Sequence, residues 1–117
     1  MGHQQEGEKM QFGKKIQTLR QAKGLTLRAL AAEVDVGFTY VSKIENAKLG
    51  FGDAPSEKLI HRLADALDGD EEELLLMANK IPAGIRKRIR ERPEVFRRIA
   101  KLSNRALDKL LQQIGSS

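Results

Sequence analysis

The sequence predicts an all-α protein, a five-helix domain followed by a basic helical extension. Composition is the first observation: 32% of residues are charged and 4% aromatic, which suits helices with wet outer faces better than aromatic-rich sheets. The second is periodicity, because apolar residues recur at spacings of three and four from Phe12 to Ile114. The third is punctuation, with Gly24, Thr26, Ser56, Asp70, Pro82, Pro93 and Ser103 falling between the periodic runs, where caps and first-turn residues belong. At 117 residues the chain has the size of one compact unit with an appendage.

Residues 1–10 are polar and aperiodic and are expected to form a flexible arm. Phe12, Ile16 and Leu19 mark the buried face of a helix over about 11–23, and Gly24 occupies its left-handed cap position. Thr26 caps a short second helix with Leu30, Ala31 and Val34 inward, broken by Asp35-Val36-Gly37. Val41 and Ile44 turn inward on a third helix over about 38–46, leaving Phe38, Thr39, Ser42 and Lys43 outside. Glycine, aspartate and proline make Leu49–Pro55 a loop. Ser56 caps a fourth helix bearing Leu59, Ile60, Leu63, Ala64 and Leu67 on one face. Asp70 and Glu73 form a capping box for a fifth, with Leu74, Leu75 and Met77. These five fill a domain over 11–80, and residues 81–117 continue as helices with Ile85, Ile89, Phe96, Ile99, Leu102, Leu107, Leu110, Leu111 and Ile114 at helical spacing.

Several function classes are disfavoured. The chain has no cysteine, so disulfides, thiolate metal sites and a cysteine nucleophile are out of reach. No serine, histidine and carboxylate set suggests covalent catalysis, and no glycine-rich phosphate loop is present, so neither an enzyme nor a cofactor is expected. The acidic run from Asp68 to Glu73 lacks the roughly twelve-residue ligand frame of a calcium loop and reads as helix capping, so no metal is expected. His61 with Asp65 one turn later reads as a surface pair. No apolar run approaches the roughly 18 to 20 residues that span a bilayer, and the polar start lacks the core of a secretory signal, so a cytoplasmic protein without a membrane partner is expected. The net charge is +5 with a pI near 9.7, compatible with an acidic partner. Residues 1–53 carry eight Lys/Arg against six Asp/Glu, 54–80 three against seven, and 81–117 ten against three. The tail is therefore strongly basic.

Two short helices joined through a glycine-containing break between Thr26 and Asn46 make a helix-turn-helix. Ala31 is small enough for the two helices to cross closely, while Val36 and Ile44 fill the space beneath the turn. The stretch Gly24-Leu25-Thr26, Leu30-Ala31, Val36, Tyr40-Val41-Ser42-Lys43-Ile44-Glu45-Asn46, then Pro55-Ser56, Leu59, Leu63-Ala64, Leu67 and Glu73-Leu74 resembles the Cro and phage-repressor type of helix-turn-helix, the xenobiotic-response-element family. The likeness spans roughly Phe12 to Lys80 and implies a lambda-repressor-like unit acting as a sequence-specific, DNA-binding transcriptional repressor, with a recognition helix from about Gly37 to Asn46.

By the same resemblance, Phe38, Thr39, Ser42 and Lys43 face base edges, and Thr26, Arg28, Tyr40, Asn46 and Lys48 contact phosphates. Arg20 and Glu45 match an internal structural pair. Leu27, Ala29, Gly37 and Ala47 depart from the family pattern, where glutamine, glutamate, serine and glycine are common. The loop Lys48–Ala54 is longer than usual, and its Phe51 is left open among covering the core, packing on a partner subunit and lying near DNA. Double-stranded DNA and a second copy of the chain are the expected partners, the dimer forming through the tail over about 95–114 on a palindromic operator. The resemblance also points to a zinc metallopeptidase that cleaves such regulators. An alternative makes the chain an antitoxin-like module that neutralises a toxin through the tail and regulates its own expression. Nonspecific nucleic-acid binding is a third class.

Overall fold

A computed structural model describes residues 2–49 and 54–115, with side chains from residue 7 onward. Among the described residues there are eight α-helices and no strand: α1 (Gly2–Ala22), α2 (Leu27–Glu33), α3 (Phe38–Glu45), α4 (Glu57–Leu67), α5 (Glu71–Met77), α6 (Ala83–Glu91), α7 (Pro93–Ala100) and α8 (Asn104–Ile114). They divide into two compact units, Met1–Pro82 and Ala83–Ser117.

In the first unit α1 packs on α3, α4 and α5, α2 crosses α3, and α4 packs on α5. Ile16, Leu30, Val34, Val41, Ile60, Leu63, Leu67 and Leu74 are fully buried at the centre. Each such side chain removed from water contributes about 1.5 to 3 kcal/mol, far more than the intrinsic propensity of helices as short as α2 and α5. Side chains set the helix starts. The hydroxyl of Thr26 accepts from the Ala29 amide at 3.0 Å, that of Ser56 from Leu59 at 3.1 Å, and the Asp70 carboxylate from Glu73 at 3.2 Å. Gly24 closes α1 in the left-handed conformation, φ 70°, with the Leu25 amide donating to the Arg20 carbonyl at 3.1 Å.

Three features lie outside the expectations. The segment expected to be an arm is helical, since α1 starts at Gly2. Residues 2–10 contain no proline and include two Gln, two Glu and one Lys, types of good helix propensity. Apolar periodicity reports burial, so it places the start near Phe12. Gly13 is the second. A Cβ there would stand 2.4 Å from the Ile44 carbonyl oxygen and 2.6 Å from that of Glu45, so α1 lies against the end of α3 at a distance only glycine permits. The third is His61, whose Nδ1 lies 2.6 Å from a Glu71 carboxylate oxygen on α5 rather than pairing with Asp65. Its pKa is raised above the ordinary 6.5, first by the hydrogen bond to Glu71, then by that residue's charge, with a lesser contribution from Asp65.

In the second unit α6 packs on α7. Pro82 immediately precedes α6, Pro93 opens α7, and Ser103 caps α8 by accepting from the Ala106 amide at 3.1 Å. None of the residues in these three helices is buried. Ile85, Ile89, Phe96, Ile99, Leu107 and Leu110 are half-buried, whereas Val95, Leu102, Leu111 and Ile114 are exposed. Phe51 lies outside the described residues.

Candidate nucleic-acid interface

The chain from Thr26 to Asn46 builds one projecting surface. Val34 ends α2, Asp35 takes the left-handed conformation at φ 57°, and Gly37 starts α3 without a side-chain cap. Ala31, 4% exposed, sits where the helices cross, and Val36 packs beneath the turn. Burial of Val41 and Ile44 fixes the rotation of α3 about its axis, so the opposite stripe must face outward.

On that stripe Phe38, Thr39 and Lys43 are exposed and Ser42 is half-buried. Asn46 ends α3 and is exposed, its amide nitrogen donating to the Ser42 carbonyl at 2.9 Å and lying 3.4 Å from the Ser42 hydroxyl. Ala47 follows in the left-handed conformation, φ 55°, and Lys48 projects into solvent while its backbone amide donates to the Lys43 carbonyl at 2.8 Å. At the other end Thr26 commits its hydroxyl to capping α2.

The phosphate-assigned and base-assigned residues do not all stand alone. Arg28, in the first turn of α2, places its guanidinium carbon 4.7 Å from the centre of the Phe38 ring, bringing together two residues expected to have separate tasks. Tyr40 is half-buried, packs against the core and borders a shallow cleft of about 410 Å³ between the start of α3 and α4. Lys58 and Arg62 line the same cleft. Sequence reasoning left both unassigned, although their spacing of four residues on α4 puts them on one face.

Arg20 and Glu45 stay behind this surface. Arg20 Nε lies 2.7 Å and Nη2 3.1 Å from the two carboxylate oxygens, and Nη1 donates to the Leu25 carbonyl at 2.8 Å. The pair anchors the end of α3 to α1.

A family profile described as a helix-turn-helix domain matches residues 11–77. The chain is 32% identical over 98 residues to a Bacillus subtilis (strain 168) protein named as an uncharacterized HTH-type transcriptional regulator, RghRB, a match covering 84% of this chain and 68% of the relative. Among solved structures, the restriction-modification controller protein C.AhdI from Aeromonas hydrophila matches with a TM-score of 0.51 and 32% identity, over 58% of this chain and 97% of its own. The clp gene regulator ClgR from Corynebacterium glutamicum matches with a TM-score of 0.51 over 77% of this chain and 87% of its own, and at 24% identity the likeness is one of fold.

Proposed function

This chain belongs to the helix-turn-helix domain family, as a transcription regulator of the Cro and phage-repressor type, and on that premise we propose that it is a repressor that binds a palindromic operator as a dimer. The observation that carries the reading is the division of α3. Val41 and Ile44 are buried and Glu45 is tied to Arg20, while Phe38, Thr39 and Lys43 stand in solvent on the other side.

In this reading α3 enters the major groove. Thr39 and Ser42 donate to or accept from base edges, Lys43 approaches guanine acceptors, and the Phe38 ring meets a thymine methyl. The first-turn amides at Thr26, together with Tyr40, Asn46 and Lys48, hold phosphates and set the orientation on the duplex. A dimer places its two recognition helices about 34 Å apart, one turn of DNA, and blocks polymerase by occupying the promoter. The tail joins the two copies through its apolar positions over 95–114. The protein acts in the cytoplasm as a binding protein, without catalysis of its own.

A second reading, in which the tail neutralises a toxin, draws on the same observation as the dimer: no residue of α6, α7 or α8 is buried. A toxin-binding tail is protease-sensitive alone and protected by its partner, whereas a dimerisation tail is protected in the isolated protein.

The experiment is selection of bound duplexes from a random library at near-physiological salt. The expected result is an enriched inverted repeat. A folded protein that enriches no motif overturns the repressor reading and turns the search toward a protein partner.

A further inference from the structure

We propose that Arg28 and Phe38 form a single base-reading unit, in which Arg28 donates to the O6 and N7 acceptors of a guanine and Phe38 is the platform that aims it. The inference rests on the operator-binding reading above and reassigns Arg28 from phosphate to base.

The guanidinium carbon of Arg28 lies 4.7 Å from the Phe38 ring centre, inside the roughly 6 Å over which a cation is attracted to an aromatic face. The guanidinium carbon thus sits over the ring, and the N–H edges of the group are left for a further partner. Those edges have no carboxylate partner among the described residues. The contrast with Arg20 is direct, since that side chain spends its donors on Glu45 and the Leu25 carbonyl. Arg28 is exposed and Phe38 is 39% exposed, so the stack stands at the surface that meets the duplex, where α2 begins beside the first residue of α3. Leu27, the preceding residue, packs inward against the core and leaves Arg28 as the outward side chain of that turn.

A phosphate contact needs only a positive charge within reach, which lysine also supplies. A stacked guanidinium supplies more: a fork of donors held in one plane, matched to the paired acceptors on the major-groove edge of guanine. The ring also restrains a side chain with large rotamer freedom before binding, which lowers the entropy lost on contact. Phe38 alone offers a base no hydrogen bond. With Arg28 on its face, the first position of α3 gains hydrogen-bond donors.

The test is the random-duplex selection run with the wild-type protein, Arg28→Lys and Phe38→Leu, with thermal melts confirming that each exposed substitution leaves the fold intact. The wild-type motif is expected to hold one guanine per half-site whose discrimination over other bases falls roughly 5- to 150-fold in Arg28→Lys. That guanine preference also weakens in Phe38→Leu, which in addition relaxes the position whose thymine methyl meets the ring, and the other positions keep their preferences in both variants. If Arg28→Lys keeps every preference and weakens all duplexes alike, Arg28 is a phosphate contact and the proposal fails. If Phe38→Leu leaves the guanine preference at full strength, the coupling to the ring fails. A wild-type protein that enriches no motif overturns the operator reading itself, a result distinct from either.

Discussion

Arg20 grips Glu45 with two prongs across 25 residues of sequence, at 2.7 and 3.1 Å. The side chains are 12% and 3% exposed, so the pair lies where an unpartnered charge is costly. Replacing Arg20 with alanine leaves the Glu45 carboxylate buried and alone and frees the Leu25 carbonyl. The expected loss is about 3 to 5 kcal/mol, read as a lower urea midpoint. The double variant Arg20→Met, Glu45→Met removes both charges and is expected to recover most of that loss, which separates the cost of a stranded carboxylate from the worth of the pair.

Gly13→Ala is expected to destabilise despite its helical position. Alanine gains up to about 1 kcal/mol over glycine in a helix interior. Here the added Cβ meets backbone carbonyl oxygens of Ile44 and Glu45 at 2.4 and 2.6 Å, and backbone cannot swing aside as a flexible side chain can. The helices must separate, at a net cost of about 1 to 3 kcal/mol, measured by thermal or urea unfolding. Because α1 supports the end of α3, operator affinity is expected to fall as well. A variant as stable as the parent would mean that α1 and α3 do not meet at this distance.

What could be read from the sequence is what is local. The caps at Thr26, Ser56, Asp70 and Ser103 form bonds to amides three residues away, so residue type and spacing suffice to find them. Val41 and Ile44 were legible because burial imposes a period. Gly13, the Arg28–Phe38 stack and the His61–Glu71 contact were not, because each is decided by which helix lies opposite. The start of α1 was illegible for another reason: the sequence of its first turns carries no apolar stripe to mark them. Lys58 and Arg62 carried a faint signal in their spacing, but only the cleft beside Tyr40 shows what they border.

The contact of His61 with Glu71 makes the α4–α5 junction pH-dependent. The folded pKa is raised above 6.5, so the native state favours the protonated ring. Its contribution is fully present below about pH 6.5, the unfolded value, and disappears as pH rises through the raised folded value. The stability difference between the wild type and His61→Gln is therefore expected to be largest below about pH 6.5 and to close as the pH rises through the raised folded value. Both partners are substantially exposed, 67% and 42% by side chain, so the difference is small and shrinks further at high salt. A gap that widens toward alkaline pH would contradict the contact.

Lys48 and Lys43 are expected to respond differently to neutralisation. Lys48, assigned to phosphate, contributes charge without sequence information. Lys48→Ala should lower affinity for all duplexes alike and flatten the plot of log affinity against log salt by about one unit. Lys43→Ala, on the outer face of α3, should also change which base is preferred at one position of the half-site. Binding titrations over a salt series on the selected duplex and a scrambled one check both. An identical response from the two variants would mean that Lys43 is a phosphate contact too.

The tail sets the last expectation. The core of the first unit is closed by α1 to α5, whereas α6 to α8 bury no residue and expose Val95, Leu102, Leu111 and Ile114. Apolar residues at helical spacing with nothing buried beneath them suit an interface, and in the dimer proposed above a second copy of the same chain supplies the other half by symmetry. A chain ending at Lys80 is expected to be monomeric by light scattering, to unfold cooperatively, and to bind a single half-site about as well as the full operator. The full-length protein is expected to be dimeric and to prefer the full operator strongly. A truncated chain that remains a dimer would move the subunit contact into the helix-turn-helix unit and leave the tail's apolar residues for a different protein.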